Sequence, residues 1–445
     1  MNITKVLNEK LSSFQIIILG FAIVIITGTV FLMLPVSSVS GEPASFINAL
    51  FTSVSAVCVT GLVVVDTASY WSFFGQAVIL ILIQIGGIGV ITVALFFSII
   101  TGRKISIMQR QTIQNALSSP QMGGGVRLTR FIFIISFLTE LIGFFFLLPV
   151  FVKRYGTDGI WLSLFHSVSA FCNAGFDLMG EKTGDFSSLT SFSDNLYLAI
   201  IISSLIIIGG IGFITWNDVA TKKFRFKEYK MQTKVVFVTT IILIVVPLCF
   251  FFFVDFSDKP LIQRISLSIF QAVTPRTAGF NTADLNEMSD AGRFLIMMLM
   301  LIGGSPGSTA GGIKTTTIAV LFANMIAAFR QKENACYFGR RTDDATVKNA
   351  STLFLLYIAL AVFASMMISL MEGLPMQPCL FEAFSAIGTV GLSLGITPAL
   401  SVCSRLLLIF LMFFGRIGGM TFIYATFSHR ENVRSKFPAE SIMIG

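Results

Sequence analysis

Phe51-Thr-Ser-Val-Ser-Ala-Val-Cys-Val-Thr-Gly61-Leu62 is a mostly apolar phrase that ends on a glycine, and three similar phrases follow it along the chain. The second is Phe165-His-Ser-Val-Ser-Ala-Phe-Cys-Asn-Ala-Gly175-Phe176, and the third is Phe270-Gln-Ala-Val-Thr-Pro-Arg-Thr-Ala-Gly279-Phe280. The fourth is Phe381-Glu-Ala-Phe-Ser-Ala-Ile-Gly-Thr-Val-Gly391-Leu392. The glycines stand 114, 104 and 112 residues apart (175 − 61, 279 − 175, 391 − 279). Each copy lies between apolar runs of about 20 residues, long enough to cross a bilayer core. Four such segments in one polypeptide predict a single pore with fourfold pseudosymmetry, and hence ion permeation.

Composition agrees with that class. Of the 445 residues, 54% are hydrophobic and 12% are charged, where soluble domains carry about 25% charged residues. The reading is an all-α polytopic membrane protein in the cell membrane. The net charge of +8 is assigned to cytoplasmic loops obeying the positive-inside rule, not to nucleic-acid binding. Six cysteines without a CxxC and two histidines indicate neither a zinc site nor a disulfide framework. No cleavable signal peptide is expected, because the polar start leads straight into an apolar run long enough to span.

Eight spans read out in four pairs. The first spans are 14–34, 131–152, 235–254 and 351–371; the second spans are 74–100, 196–216, 294–329 and 404–427. Stretches between pairs are basic. The first holds Arg103, Lys104, Arg110, Arg127 and Arg130 without an acid, and the second holds Lys222, Lys223, Arg225, Lys227, Lys230 and Lys234 against Asp218 and Glu228. Stretches within pairs are acidic, as in Asp177, Glu181, Asp185 and Asp194 against Lys182. The basic stretches and both termini are therefore expected in the cytoplasm. The expected units are repeat 1 (14–100), repeat 2 (131–216), repeat 3 (235–329), repeat 4 (351–427) and a cytoplasmic tail (428–445). All four repeats share one orientation, unlike inverted-repeat carriers.

Each phrase is too short to span. It must dip into the membrane and return, which is tolerated only where its backbone is buried in protein or lines water. The expectation is a short pore helix followed by an extended filter strand. The helix aims its negative C-terminal dipole at the pore, and the strand's carbonyls replace the ion's hydration shell. The filter triplets are Val59-Thr60-Gly61, Asn173-Ala174-Gly175, Thr277-Ala278-Gly279 and Thr389-Val390-Gly391. Glycine suits the last position because side-chain-bearing residues avoid the required backbone angles. The residue after each phenylalanine is polar (Thr52, His166, Gln271, Glu382) and is expected to hold hydrogen bonds behind the pore.

Every second span also carries a glycine cluster: Gly86-Gly87-Ile88-Gly89, Gly209-Gly210-Ile211-Gly212, Gly303-Gly304 and Gly415-Arg416-Ile417-Gly418. The third continues as Ser305-Pro306-Gly307-Ser308-Thr309-Ala310-Gly311-Gly312-Ile313-Lys314, a composition that opposes a regular helix. This predicts a second helix of repeat 3 broken by an intramembrane loop, placed below the filter as a gate. Arg416 lies deep in its own span, where arginine is expensive and faces the interior. It is expected to donate hydrogen bonds to the loop carbonyls. Lys314 is either a loop anchor or the start of the cytoplasmic half-helix.

The triplets with their neighbours, together with Gly-Gly-Ile-Gly and Gly307-Ser308-Thr309-Ala310-Gly311-Gly312-Ile313-Lys314, resemble the Trk/Ktr/HKT superfamily of potassium transporters over nearly the whole chain. Length and short amino terminus are similar to the bacterial Ktr membrane subunit of KtrB or KtrD type. The resemblance implies four helix–pore loop–helix repeats in one chain and a homodimer in the bilayer. It also implies a cytoplasmic ring of RCK/KTN regulatory subunits (KtrA/KtrC type) that alone binds nucleotide. Transport would be potassium uptake, with sodium as activator or co-ion. The filter glycines map to Gly61, Gly175, Gly279 and Gly391, the gate to residues 303–314 and its contacting arginine to Arg416. Cys58 and Cys172, three residues before their glycines, depart from the family pattern.

Two other functions compete. An alternating-access sodium/potassium symporter is disfavoured by same-orientation repeats and four filter glycines. A membrane enzyme is disfavoured because the spans hold no paired acids, Ser/His set or metal cluster, Glu140 and Glu382 each being expected to stand alone at its depth.

Overall fold

The computed structural model describes residues 12–100, 125–223 and 225–426. Most of the first basic stretch, with Arg103, Lys104 and Arg110, and the tail at 428–445 lie outside the described residues. Four helices are long and apolar enough to cross a membrane: α1 (Ser13–Leu32), α5 (Gly125–Tyr155), α9 (Met231–Phe250, continued by a π turn at Phe251–Asp255) and α13 (Asp344–Glu372). No more than 33% of the apolar window in each is buried. Ile23, Ile26 and Leu355, for example, are 63%, 61% and 70% exposed. A helix that is apolar all round and mostly uncovered is solvated by lipid. A capping box starts α1, with Ser12 Oγ accepting from Gln15 N–H and the Gln15 side chain accepting from Ser12 N–H, which satisfies two otherwise free donors.

Four shorter helices carry the repeated phrase: α2 (Phe46–Cys58), α6 (Asp158–Cys172), α10 (Leu261–Val273) and α14 (Met376–Gly388). At 13 to 15 residues they reach about 20 Å, short of a bilayer core. The phenylalanine of each phrase (Phe51, Phe165, Phe270 and Phe381) is wholly buried. These rings anchor the short helices in the interior by close packing against their neighbours.

The second spans expected at 74–100, 196–216 and 404–427 are each built of two helices. Each is bent near a right angle. Helix α3 (Phe73–Ile88) meets α4 (Val90–Ile100) at 93°, α7 (Leu196–Ile211) meets α8 (Phe213–Lys222) at 91°, and α15 (Val402–Ile417) meets α16 (Gly419–Thr426) at 96°. The hinges are Gly89, Gly212 and Gly418, with φ of 96°, 98° and 90°, a conformation that only glycine adopts without strain. The first glycine of each cluster has a different task. A Cβ on Gly86, Gly209 or Gly415 would strike the carbonyl of Val57, Phe171 or Ile387 near the end of the short helix in the same repeat. One glycine thus lets two helices touch and another bends the chain.

In repeat 3 the second span runs as α11 (Asp290–Leu301) and α12 (Thr315–Phe329), with an irregular loop between them that Ile302 and Ile313 close by a parallel bridge. The described residues are helical apart from turns and one antiparallel ribbon, Cys336–Tyr337 paired with Arg340–Arg341.

Candidate functional site

The triplets do not form the extended strands expected. Val59, Asn173 and Thr389 end their helices in the left-handed region, with φ of 57°, 60° and 53°. Thr277 is left-handed too, at 73°, but it does not end its helix, which stops three residues earlier than in the other repeats, at Val273. The middle residues are not left-handed, and the glycines are again, at 86° (Gly61), 66° (Gly175), 83° (Gly279) and 94° (Gly391). A strand throws successive groups to opposite faces; a backbone that alternates in hand can turn successive carbonyls to the same side. Holding a side-chain-bearing residue left-handed costs roughly 1–2 kcal/mol, so tertiary contacts must impose it.

Those contacts are visible. The hydroxyl four residues after each anchoring phenylalanine braces its own turn. Ser55 and Ser385 accept from the N–H of Gly61 (3.1 Å) and Gly391 (3.0 Å). Ser169 and Thr274 donate to the carbonyls of Phe176 (2.7 Å) and Phe280 (2.6 Å). The signal was present in the repeated phrase as a shared Ser/Thr. The polar residues just after the phenylalanines are a weaker brace than expected. Glu382 accepts from Ser393 and, at 2.8 Å, from Thr397. The His166 ring bonds Leu162 O within its own helix at 2.8 Å, whereas the Thr52 hydroxyl and the Gln271 amide are buried without a protein partner.

The four glycines meet in a ring. A Cβ on Gly61 would strike Ala174 O, one on Gly175 would strike Ala278 O, one on Gly279 would strike Val390 O, and one on Gly391 would strike Thr60 O. Each glycine therefore abuts the middle carbonyl of the next segment, in the cyclic order 1, 2, 3, 4, 1. The side chains of Asn173 and Thr277 lie 3.3 Å apart and tie segments 2 and 3 together.

One cavity, about 170 Å³, is lined by all four glycines with Asp66 and Asp177. Asp177 lies in the loop beyond its glycine. Burial pushes its carboxyl up to about 6, opposed by the Met179 N–H and reinforced by the Asp66 charge.

A second cavity, about 330 Å³, is lined by the hinges Gly89 and Gly418, the irregular loop and Arg416. A Cβ on Gly311 of this loop would meet the side chain of Thr389, the first residue of the fourth triplet. The loop docks on repeat 2 through Ser305 N–H to Gly210 O (2.9 Å), Phe213 N–H to Gly307 O (2.7 Å) and Thr309 Oγ1 to Phe171 O (3.2 Å). Arg416 donates to Thr309 O in the loop and to Gly86 O in repeat 1, with Gly87 O at 3.4 Å. It does not snorkel, and it stands at the end of α15 beside the hinge, not in the middle of a straight span. Lys314 fills both roles left open for it: it is the N-cap of α12, and its amine bonds Ala310 O at 2.8 Å and Gly311 O at 3.4 Å.

Glu140 is paired not with a second acid but with an amide and a thiol. The Gln84 amide reaches both its carboxyl oxygens, at 2.9 and 3.1 Å, and the Cys172 thiol lies 3.6 Å from Gln84 Oε1. Cys172 thus sits between this pair and the left-handed Asn173. Removing the carboxyl leaves a buried amide unpaired, at about 1–3 kcal/mol. Glu140→Ala is expected to lower the thermal midpoint of the detergent-solubilised protein; an unchanged midpoint would show that Gln84 contributes nothing through this pair.

A family model described as TrkH, cation transport protein, matches residues 9–433 of this chain. The chain is 41% identical to the potassium/sodium uptake protein NtpJ of Enterococcus hirae, over 99% of each chain. It is 38% identical to Ktr system potassium uptake protein B of Bacillus subtilis, over 97% of this chain and 96% of that protein. Among solved structures it matches the crystal structure of the potassium transporter TrkH from Vibrio parahaemolyticus with a TM-score of 0.73 and 18% identity, covering 92% of this chain and 83% of that one. At that identity the likeness is one of fold.

Proposed function

This chain belongs to the TrkH family of cation transport proteins, and from that premise we propose that it carries potassium into the cell through a pore formed by four helix–pore loop–helix repeats. The observation that carries the reading is the closed ring of Gly61, Gly175, Gly279 and Gly391, each against the next segment's carbonyl. Twelve triplet residues form the filter. Their backbone carbonyls take the ion and their alternating handedness suits them to it. The loop at 303–314, with Arg416 and Lys314, is the gate. Relatives named as potassium and potassium/sodium uptake proteins support the choice of ion and a role for sodium as activator or co-ion.

The pore opens to the cytoplasm on the side of the hinges and the basic stretches, with both termini there and the outer mouth at the Asp66–Asp177 cavity. The protein works as a homodimer in the cell membrane. A relative named for a "Ktr system" supports a multi-subunit assembly, here a cytoplasmic RCK/KTN ring that binds nucleotide. The deciding test is growth of a potassium-uptake-deficient bacterium at low potassium, with and without sodium, co-expressing a regulatory subunit. Rescue is expected, stronger with sodium. No rescue by protein shown to reach the membrane overturns the reading.

Regulation should reside outside this chain. Flux in proteoliposomes is expected to respond to nucleotide only when the regulatory ring is present, with Lys222, Lys223, Arg225 and Lys227 among the docking charges. An equal nucleotide response from the chain alone would refute this.

A further inference from the structure

The residue two places after each ring glycine is Val63, Asp177, Asn281 or Ser393. All four line the same cavity as the glycines themselves, so a second ring of side chains stands immediately beyond the first. Its members differ in what they offer. Val63 has no ligating atom. The Ser393 hydroxyl is engaged both ways, donating to Glu382 and accepting from Gly395 N–H at 2.8 Å. Asp177 accepts from Met179 N–H at 3.0 Å on one oxygen, and its carboxyl is also held by the Ser188 side chain. The Asn281 amide oxygen has only a long contact with Ala283 N–H, at 3.3 Å. The oxygens of the ring with most capacity left for a ligand thus belong to Asp177 and Asn281, on neighbouring segments.

The scaffold beneath them is fixed. Asn281 gives its N–H to Ser188 Oγ (3.1 Å) and takes the N–H of Leu189 on its carbonyl (2.9 Å). The other carboxylate of the cavity, Asp66, is already spent on structure: it accepts from Ala68 N–H, Ser69 N–H and Ser69 Oγ on one oxygen and from Phe186 N–H on the other. No lysine or arginine is among the residues lining the cavity. Hard oxygen donors with one net negative charge, on rigid backbone beside a roomy cavity, suit an alkali cation that keeps part of its hydration shell.

We propose that Asp177 and Asn281 form an outer cation site one step beyond the glycine ring, which holds a partly hydrated potassium ion before it enters the filter. The proposal rests on the pore reading above and adds to it a site made of side chains, where the filter is made of backbone. Of the four side chains in this second ring only Asp177, from repeat 2, carries a charge, and the Asp66 carboxylate of repeat 1 adds a negative charge to the same cavity.

The test is initial potassium uptake across a concentration series at neutral pH. Asp177→Asn is expected to raise the KM roughly three- to tenfold, the effect of removing one charge from a partly hydrated site, with the maximal rate within about twofold of the parent. Adding Asn281→Asp to Asp177→Asn moves the carboxylate to the neighbouring segment and should bring the KM back toward the parent. An unchanged KM in Asp177→Asn overturns the proposal. So does failure of the swap to restore it, because a structural role for Asp177 would not be rescued from Asn281. If Asp177→Asn does not reach the membrane, Asn281→Asp alone decides: a lower KM supports the site and a parent KM overturns it. Gly391→Ser is measured in parallel. If it loses potassium-over-sodium discrimination while the Asp177 and Asn281 variants behave as the parent, the outer site fails alone; if Gly391→Ser is also unaltered, the pore reading fails with it.

Discussion

Serine in place of Gly391 is expected to give the largest loss of potassium affinity and of discrimination against sodium of any single change in this chain. Two costs combine there. The φ of 94° lies outside the left-handed region that L-residues can reach, and the added Cβ would be driven into Thr60 O of the first segment. That carbonyl is one of the groups proposed to hold the ion, so the backbone must move or the ligand must. The same argument ranks the ring. Gly61 and Gly279, at 86° and 83°, should follow Gly391, and Gly175, at 66°, should be the mildest, because its φ is open to serine and only the contact with Ala278 O opposes the side chain. At roughly 1–2 kcal/mol for each strained backbone, and tenfold in affinity for about 1.4 kcal/mol, the severe variants should lose at least about tenfold. Uptake of potassium with and without competing sodium measures this. Four serine variants with parent affinity and discrimination would remove the filter assignment, and a ranking led by Gly175 would remove the geometric reason given for it.

The opposite sign is expected at the gate. Arg416→Ala should raise the maximal rate of uptake severalfold and leave the apparent affinity near the parent value. The guanidinium ties Thr309 O of the loop to Gly86 O of repeat 1, and charge-assisted hydrogen bonds of this kind contribute about 1.5–3 kcal/mol each. On the proposed reading, their loss weakens the closed state of the gate and removes a positive charge from the proposed cation path. The loop keeps its bonds to Gly209, Gly210 and Phe213, so the alanine variant opens only in part. Deleting residues 305–311 removes those bonds as well and should raise the rate further. Adding Arg416→Ala to the deletion should then give little more, because the arginine's partner is already gone. A concentration series of uptake rates separates the cases. A shift in affinity at constant maximal rate would place the loop in a binding site, and a deletion that fails to fold would make its glycines packing elements.

Much of the architecture was legible because it is written in neighbouring residues. Apolar runs with the length of a bilayer, the alternation of basic and acidic stretches and the composition of residues 303–314 are local properties, and a local property survives in the chain without knowledge of the fold. The same holds for the four glycines, since the repeated phrase marks them whether or not the copies ever meet. The glycine clusters that hold the hinges Gly89, Gly212 and Gly418 are visible in the sequence, but the bends are not. A glycine in an apolar run can serve packing or bending, and nothing in the run separates the two. The structure assigns one to each end of the cluster: Gly86 to contact with Val57, Gly89 to the bend.

What the tertiary structure alone decided are the features made by residues far apart in the chain. Val59 and Thr389 have β-branched side chains that disfavour a left-handed backbone, so local preference there pointed to an extended strand, whereas asparagine, as at Asn173, tolerates that region. The braces from Ser55, Ser169 and Ser385 and the packing of adjacent segments override that preference. The amide and thiol partners of Glu140 were not legible because Gln84 is 56 residues away and Cys172 is 32. Arg416 was placed deep in a helix, but its partners Thr309 and Gly86 lie 107 and 330 residues off. The cyclic order of the ring belongs to the same class. Propensity and periodicity act over a few residues, while a closed ring of carbonyls is a set of long-range contacts that exists only once all four segments have been brought to one axis.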